Sequence, residues 1–135
     1  MPPVIAALLG LSTVAFSGGK VELPSSCTGP AHASVDFEGG FLATITCDAG
    51  KTRVVLIGSP TMPSSCSRER AQFVSRNGAP ISVCLLGRPP RSAKDEPQSM
   101  LADLGGGACL EVTVRRPQDA LLLLQIASSF KRVPE

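Results

Sequence analysis

The chain has 135 residues, enough for one hydrophobic core but not for two. Its formal net charge of +2 is too small to mark nucleic acid or an acidic membrane surface as a partner, and the basic residues are scattered in small groups. Five Phe, no Tyr and no Trp leave a ring-poor core of Val, Leu, Ile and Ala. Such side chains bury less area each, so crosslinks would help the core.

Val4 to Phe16 carries no charge. As a helix it would span about 20 Å, short of the ~30 Å hydrocarbon core of a bilayer. Its length suits the apolar region of a secretory signal, with Ala15 and Ser17 as the small residues before a cut at Gly18. Met1-Pro2-Pro3 lacks the usual cationic lead, and the alternative is a buried first strand or helix of a cytosolic protein. The expected organisation is a leader over residues 1–17 and one disulfide-containing domain over 18–135. Nothing before Cys27 resembles a lipid-attachment motif.

Five cysteines in an oxidising compartment would leave one unpaired. An internal similarity suggests the pairing. Pro24-Ser25-Ser26-Cys27-Thr28 recurs as Pro63-Ser64-Ser65-Cys66-Ser67, thirty-nine residues later. Each copy leads into a strand-like stretch, a turn dipeptide and a return strand carrying a cysteine. The first reads His32 to Glu38, Gly39-Gly40, Phe41 to Cys47; the second reads Ala71 to Arg76, Asn77-Gly78, Ala79 to Cys84. Two-residue turns would oppose Glu38 to Phe41, His32 to Cys47, Arg76 to Ala79 and Ala71 to Cys84. Bridges Cys27–Cys47 and Cys66–Cys84 are expected, with Cys109 as the unpaired thiol.

Further along, Asp48-Ala49-Gly50 turns into a third strand, Thr52 to Ile57. Arg88 to Ala93 reads as a surface loop. Glu96-Pro97 opens a predicted short helix with Met100, Leu101 and Leu104 on one face, stopped by Gly105-Gly106-Gly107. Ala108 to Val114 reads as a strand. Pro117 starts a second predicted helix, with Asp119 at the positive end of its dipole and Lys131 and Arg132 at its negative end. Leu122, Leu123, Ile126, Ala127 and Phe130 form its apolar face, the alternative being a buried strand through the leucines. The fold class expected is α+β: mainly antiparallel β, two hairpin units plus further strands, with a short helix and a C-terminal helix packed on the sheet.

Motifs that resemble chemistry fail on context. Gly50-Lys51-Thr52 looks like the end of a phosphate loop, but Ile45 stands where the first glycine belongs and a strand follows. His32 is the single histidine, so a Cys47/His32 pair would need a free thiolate and an orienting third group. No two cysteines lie close enough to begin a zinc site, and there is no Cys-x-x-Cys. Asp36 and Glu38 would share a strand face, and Asp95-Glu96 a loop; both read as solvated charge rather than a glycosidase pair.

No catalytic, cofactor-binding or metal site is therefore assigned. The expected protein is a small periplasmic or secreted binding or structural protein without intrinsic catalysis. Its partner would be another protein, met through sheet edges or hairpin loops. Nucleic acid and a stable membrane span after processing are not expected, and a small-molecule ligand is unspecified. The alternatives are a thiol enzyme or redox protein using Cys109 or Cys47/His32, and a reduced cytoplasmic interaction domain.

Overall fold

A computed structural model describes residues 12–36, 38–59, 71–86 and 98–133. Their order is β1 (Ser12–Phe16), β2 (Gly19–Leu23), β3 (Cys27–Thr28), β4 (Ser34–Val35), β5 (Phe41–Cys47), β6 (Thr52–Gly58), β7 (Ala71–Val74), β8 (Pro80–Leu86), β9 (Gln98–Gly105), β10 (Ala108–Val114), α1 (Pro117–Ser128) and β11 (Lys131–Arg132). The large sheet runs β3-β5-β6-β10-β9-β8-β7, with β4 also on β5, and every pairing in it is antiparallel. A second sheet orders β1-β2-β11. The α+β expectation holds: strands dominate, and the one helix among the described residues packs on the sheet.

Alternation explains why the central strands form. In β5, Phe41, Ala43, Ile45 and Cys47 are buried while Leu42, Thr44 and Thr46 face out. Thr52, Val54 and Leu56 of β6 and Ala108, Leu110 and Val112 of β10 extend the same buried face. Against it lie α1, through Leu123, Ile126 and Ala127, and the small sheet, through Val14, Val21 and Leu23. These form one core.

Few rings do much of the joining. Phe16 stacks between Phe41 of the large sheet, at 5.3 Å, and Phe130 after the helix, at 5.9 Å. Val14 is fully buried. Ala15 accepts from the Ala33 N–H and donates to the Ala31 carbonyl, bridging β1 to the start of the first hairpin unit. The residues read as the end of a leader thus build a core strand. A cut before Gly18 would remove it.

The predicted helix over Met100, Leu101 and Leu104 is strand β9 instead. Its actual period is two: Ala102 and Leu104 enter the main core, while Leu101 joins Cys84 and Cys109 on the opposite face. Hydrogen bonding to strands on both sides outweighs the helical spacing of three apolar residues. Its expected start, Glu96-Pro97, lies outside the described residues, as do the loop Arg88 to Ala93 and the second Pro-Ser-Ser-Cys copy. The C-terminal helix forms as expected but ends at Ser128. Lys131 and Arg132 do not cap it; they pair with Lys20 and Gly19 of β2.

Both hairpin registers differ from the expected ones. Val35, not Glu38, opposes Phe41; Val74 opposes Pro80, and Ala71 opposes Val83 rather than Cys84. The turns are five residues long because a side chain closes each one. Asp36 Oδ1 accepts from the Glu38 and Gly40 N–H groups, and Ser75 Oγ accepts from Asn77 and Ala79 at equivalent positions. Asp36 N donates to Gly40 O and Ser75 N to Ala79 O, while Gly39 and Gly78 return a bond at positive φ. The two loops are the same device, thirty-nine residues apart.

Candidate functional site

The two hairpin units hold the two ends of α1. At the first end, Asp119 on the opening turn is buried; its Oδ1 accepts from Thr52 Oγ1 at 2.5 Å and its Oδ2 from the Arg115 and Arg116 N–H groups at 2.8 and 3.0 Å. Arg116 donates to Thr52 Oγ1 and pairs with Asp48 at 2.8 Å, tying the β5–β6 turn to the helix. Burial alone would raise the Asp119 carboxyl, but the bonds from Thr52, Arg115 and Arg116 outweigh it and hold the group at about 2. At the other end, Arg76 N, Asn77 Nδ2 and Ser75 Oγ donate to the carbonyls of Ser128, Ser129 and Phe130. These networks are structural: their groups are satisfied and closed to a substrate.

Each residue singled out by chemistry can now be placed. Cys27 and Cys47 sit directly opposite one another on β3 and β5 and form the expected disulfide. Cys47 therefore opposes Cys27, not His32, and has no thiolate to offer. His32 is exposed and linked by an isolated bridge to Ala15. Cys84 is buried and disulfide-bonded; its expected partner, Cys66, lies outside the described residues. Cys109 is a free, buried thiol beside Leu101 and Ile57. Burial, then the charges of Asp103 and Glu111, push it up to about 11, the reverse of what a nucleophile needs. Among the described residues no group of His, Cys, Asp and Glu is arranged to hold a metal.

The sheet face turned away from α1 is buried at Cys84, Leu101 and Cys109 and more open over β5 and β6. Along β6 it presents Arg53, Val55 and Ile57, flanked by Leu42 and Thr44 of β5 and by Glu111 and Thr113 of β10. Two grooves of about 520 and 450 Å³ lie on it and share Ile57, so they meet end to end. One carries Asp36 and Glu38 at the β4–β5 loop. The other carries Lys51, Arg53 and Arg115 around Glu111, at the β5–β6 turn. None of these three cations closes an ion pair among the described residues. Leu42 is 48% exposed and Val35, at the sheet edge, 67%. The open part of the face is thus a partly apolar strip with Asp36 and Glu38 at one end, Lys51, Arg53 and Arg115 at the other, and Glu111 beside Val55 between them.

Asp36 and Glu38 stand out in the sequence as two close carboxylates, whereas the cations are dispersed along it. Their grouping was readable in one respect: Lys51, Arg53, Val55 and Ile57 occupy the positions alternating with the buried Thr52, Val54 and Leu56. Arg115 joins them only through the β6–β10 pairing. Comparison with known proteins finds no matching family model, no matching curated protein and no matching solved structure. No helix among the described residues is long and apolar enough to cross a membrane, which leaves strand-built membrane spans unaddressed.

Proposed function

We propose that this is an exported, non-catalytic protein-binding domain whose contact surface is the outer face of β5, β6 and β10. The observation that carries the reading is the strip Leu42–Val55–Ile57, exposed at Leu42 and half-buried at Val55 and Ile57, with two carboxylates at one end and three cations at the other. Exposed apolar area framed by charge is the usual form of a protein contact surface: the apolar centre supplies affinity and the charged ends set orientation. Export to the periplasm or outside the cell is supported by the Cys27–Cys47 disulfide, a bond that reducing compartments do not maintain. Any leader cut would fall before Ser12, sparing β1. A thiol-enzyme reading is disfavoured by the bonded Cys47 and the buried, high-pKa Cys109.

Photo-crosslinking side chains placed at Leu42 and Thr44, and at Leu121 on the solvent side of α1, test the reading in the native host. Crosslinks to a polypeptide identified by mass from the first two positions, and none from Leu121, are expected. No crosslink from Leu42 or Thr44 would sink it.

A further inference from the structure

The open strip is narrow. Cys109 is buried on its β10 side, and beyond β5 lie the two-residue strands β3 and β4. Its width is therefore that of β5 and β6, about 10 Å, and from Lys51 to Ile57 it runs about 20 Å. A surface of that shape takes one extended chain rather than the face of a globular partner. Side chains along it recur at every second residue: Lys51, Arg53, Val55 and Ile57, with Asp36 and Glu38 past the end of β6. Arg115 adds a cation to the groove of Lys51 and Arg53, and Glu111 adds a carboxylate opposite Val55. An extended chain presents its own side chains on one face at the same interval, about 7 Å. We infer that the occupant is an extended segment of a partner protein with side chains of matching order at alternate positions. Read from the Lys51 end, that order is acidic, acidic, apolar, apolar, basic. This rests on the protein-binding reading of the same face.

Each position follows from a charge or an apolar side chain on the strip. Lys51, Arg53 and Arg115 have no ion pair among the described residues, so an arriving carboxylate displaces none. Asp48, the carboxylate nearest to Lys51 in sequence, is turned away from the groove. Positive φ at Asp48 and Ala49 swings the chain round, and Asp48 pairs instead with Arg116 at 2.8 Å. Clustered cations of this kind recognise acidic motifs through charge-assisted hydrogen bonds. Glu111 limits the acidic run to two, because a third carboxylate over Val55 would meet it. The next two positions are apolar to match Val55 and Ile57, both half-buried. At the far end Asp36 Oδ1 is taken by two loop N–H groups, and Glu38 has no ion pair among the described residues, so a cation fits there. Either chain direction satisfies the pattern.

The probe is a peptide in which serine alternates with Asp, Asp, Val, Leu and Lys, tested with its reversed sequence. Titrated into the isotope-labelled full chain, at least one of the two is expected to shift the amide resonances of residues 53–57 and 111–113, with half-saturation below about 1 mM. Added salt should weaken it. A peptide with Asp at all five alternating positions should bind about fivefold more weakly, because Glu111 and Glu38 repel it. Arg53→Glu, at an exposed position, should weaken the probe by tenfold or more, and changing the second Asp of the probe to Lys should restore it. Lys51→Glu with the first Asp changed to Lys repeats that exchange if the Arg53 variant does not fold. No saturable shift from either probe up to about 5 mM, shifts centred elsewhere, tighter binding of the all-acidic peptide, or an exchange that fails to recover overturns the inference. A crosslink from Leu42 to a polypeptide without such a segment overturns it while leaving the protein-binding reading intact; no crosslink from Leu42 or Thr44 removes both.

Discussion

The Thr52 hydroxyl, at the start of β6, donates to the Asp119 carboxylate on the first turn of α1 at 2.5 Å. A residue from the first hairpin unit thereby fixes the helix that covers the sheet. Because Asp119 is held at about 2, below its ordinary 3.8, its contribution to stability is complete above the ordinary value and is lost as pH falls toward 2. The shift corresponds to about 2 kcal/mol. Asp119→Asn should lose on the order of 2 kcal/mol at pH 7 and show a flatter stability profile between pH 5 and pH 2, as read by urea unfolding at several pH values. An unchanged acid slope would show that Asp119 is not the titrating group.

The second unit holds the other helix end through Ser75, whose hydroxyl donates to Phe130 O and accepts from two loop N–H groups. Ser75→Ala leaves the buried Ala79 N–H without its acceptor and removes one of the two donors to Phe130 O. A loss of about 2 kcal/mol is expected in denaturant unfolding, as for any buried polar group left without its partner. A change within experimental scatter would show that water replaces the hydroxyl.

These end-holding loops were the least legible part of the sequence. Gly39-Gly40 and Asn77-Gly78 signalled turns, and turns are there. Their registers depend on Asp36 and Ser75 folding back on their own backbone, which no dipeptide rule contains. β5, β6 and β10 were readable because each alternates cleanly between core and surface. β9 was not, since Met100, Leu101 and Leu104 match a helix as well as a strand until neighbouring strands are known. β1 was hidden differently: a short uncharged apolar run serves a leader or a core strand equally well. For the site, the acidic end was visible as two close carboxylates, while the basic end assembles from two strands distant in sequence.

The role of β1 gives a direct comparison. A chain beginning at Gly18 lacks Val14 and Phe16, and with them the stack that joins Phe41 to Phe130. It is expected not to fold, whereas a chain beginning at Ser12 should unfold cooperatively with a thermal midpoint near that of the full sequence. Equal midpoints for the two truncated chains would remove β1 from the core.

Cys109 should behave as an inert thiol. Alkylation of the native protein at pH 7 is expected to be slower than that of a free cysteine by at least tenfold, rising only as pH approaches its value of about 11. After denaturation without reductant it should react at once. Fast native labelling that titrates near neutral pH would restore the thiol-enzyme alternative.

The exported reading depends most on covalent closure at the sheet edge, where Cys27–Cys47 closes a loop across a separation of 20 residues. In the chain-entropy view that link contributes roughly 3 kcal/mol. Trapping free thiols in living cells of the native host, then mapping unreduced peptides by mass, asks whether the bond exists where the protein works. The account predicts a linked Cys27–Cys47 peptide pair with neither cysteine carrying the trapping label. Both cysteines labelled, in protein that is folded and full length, would contradict it.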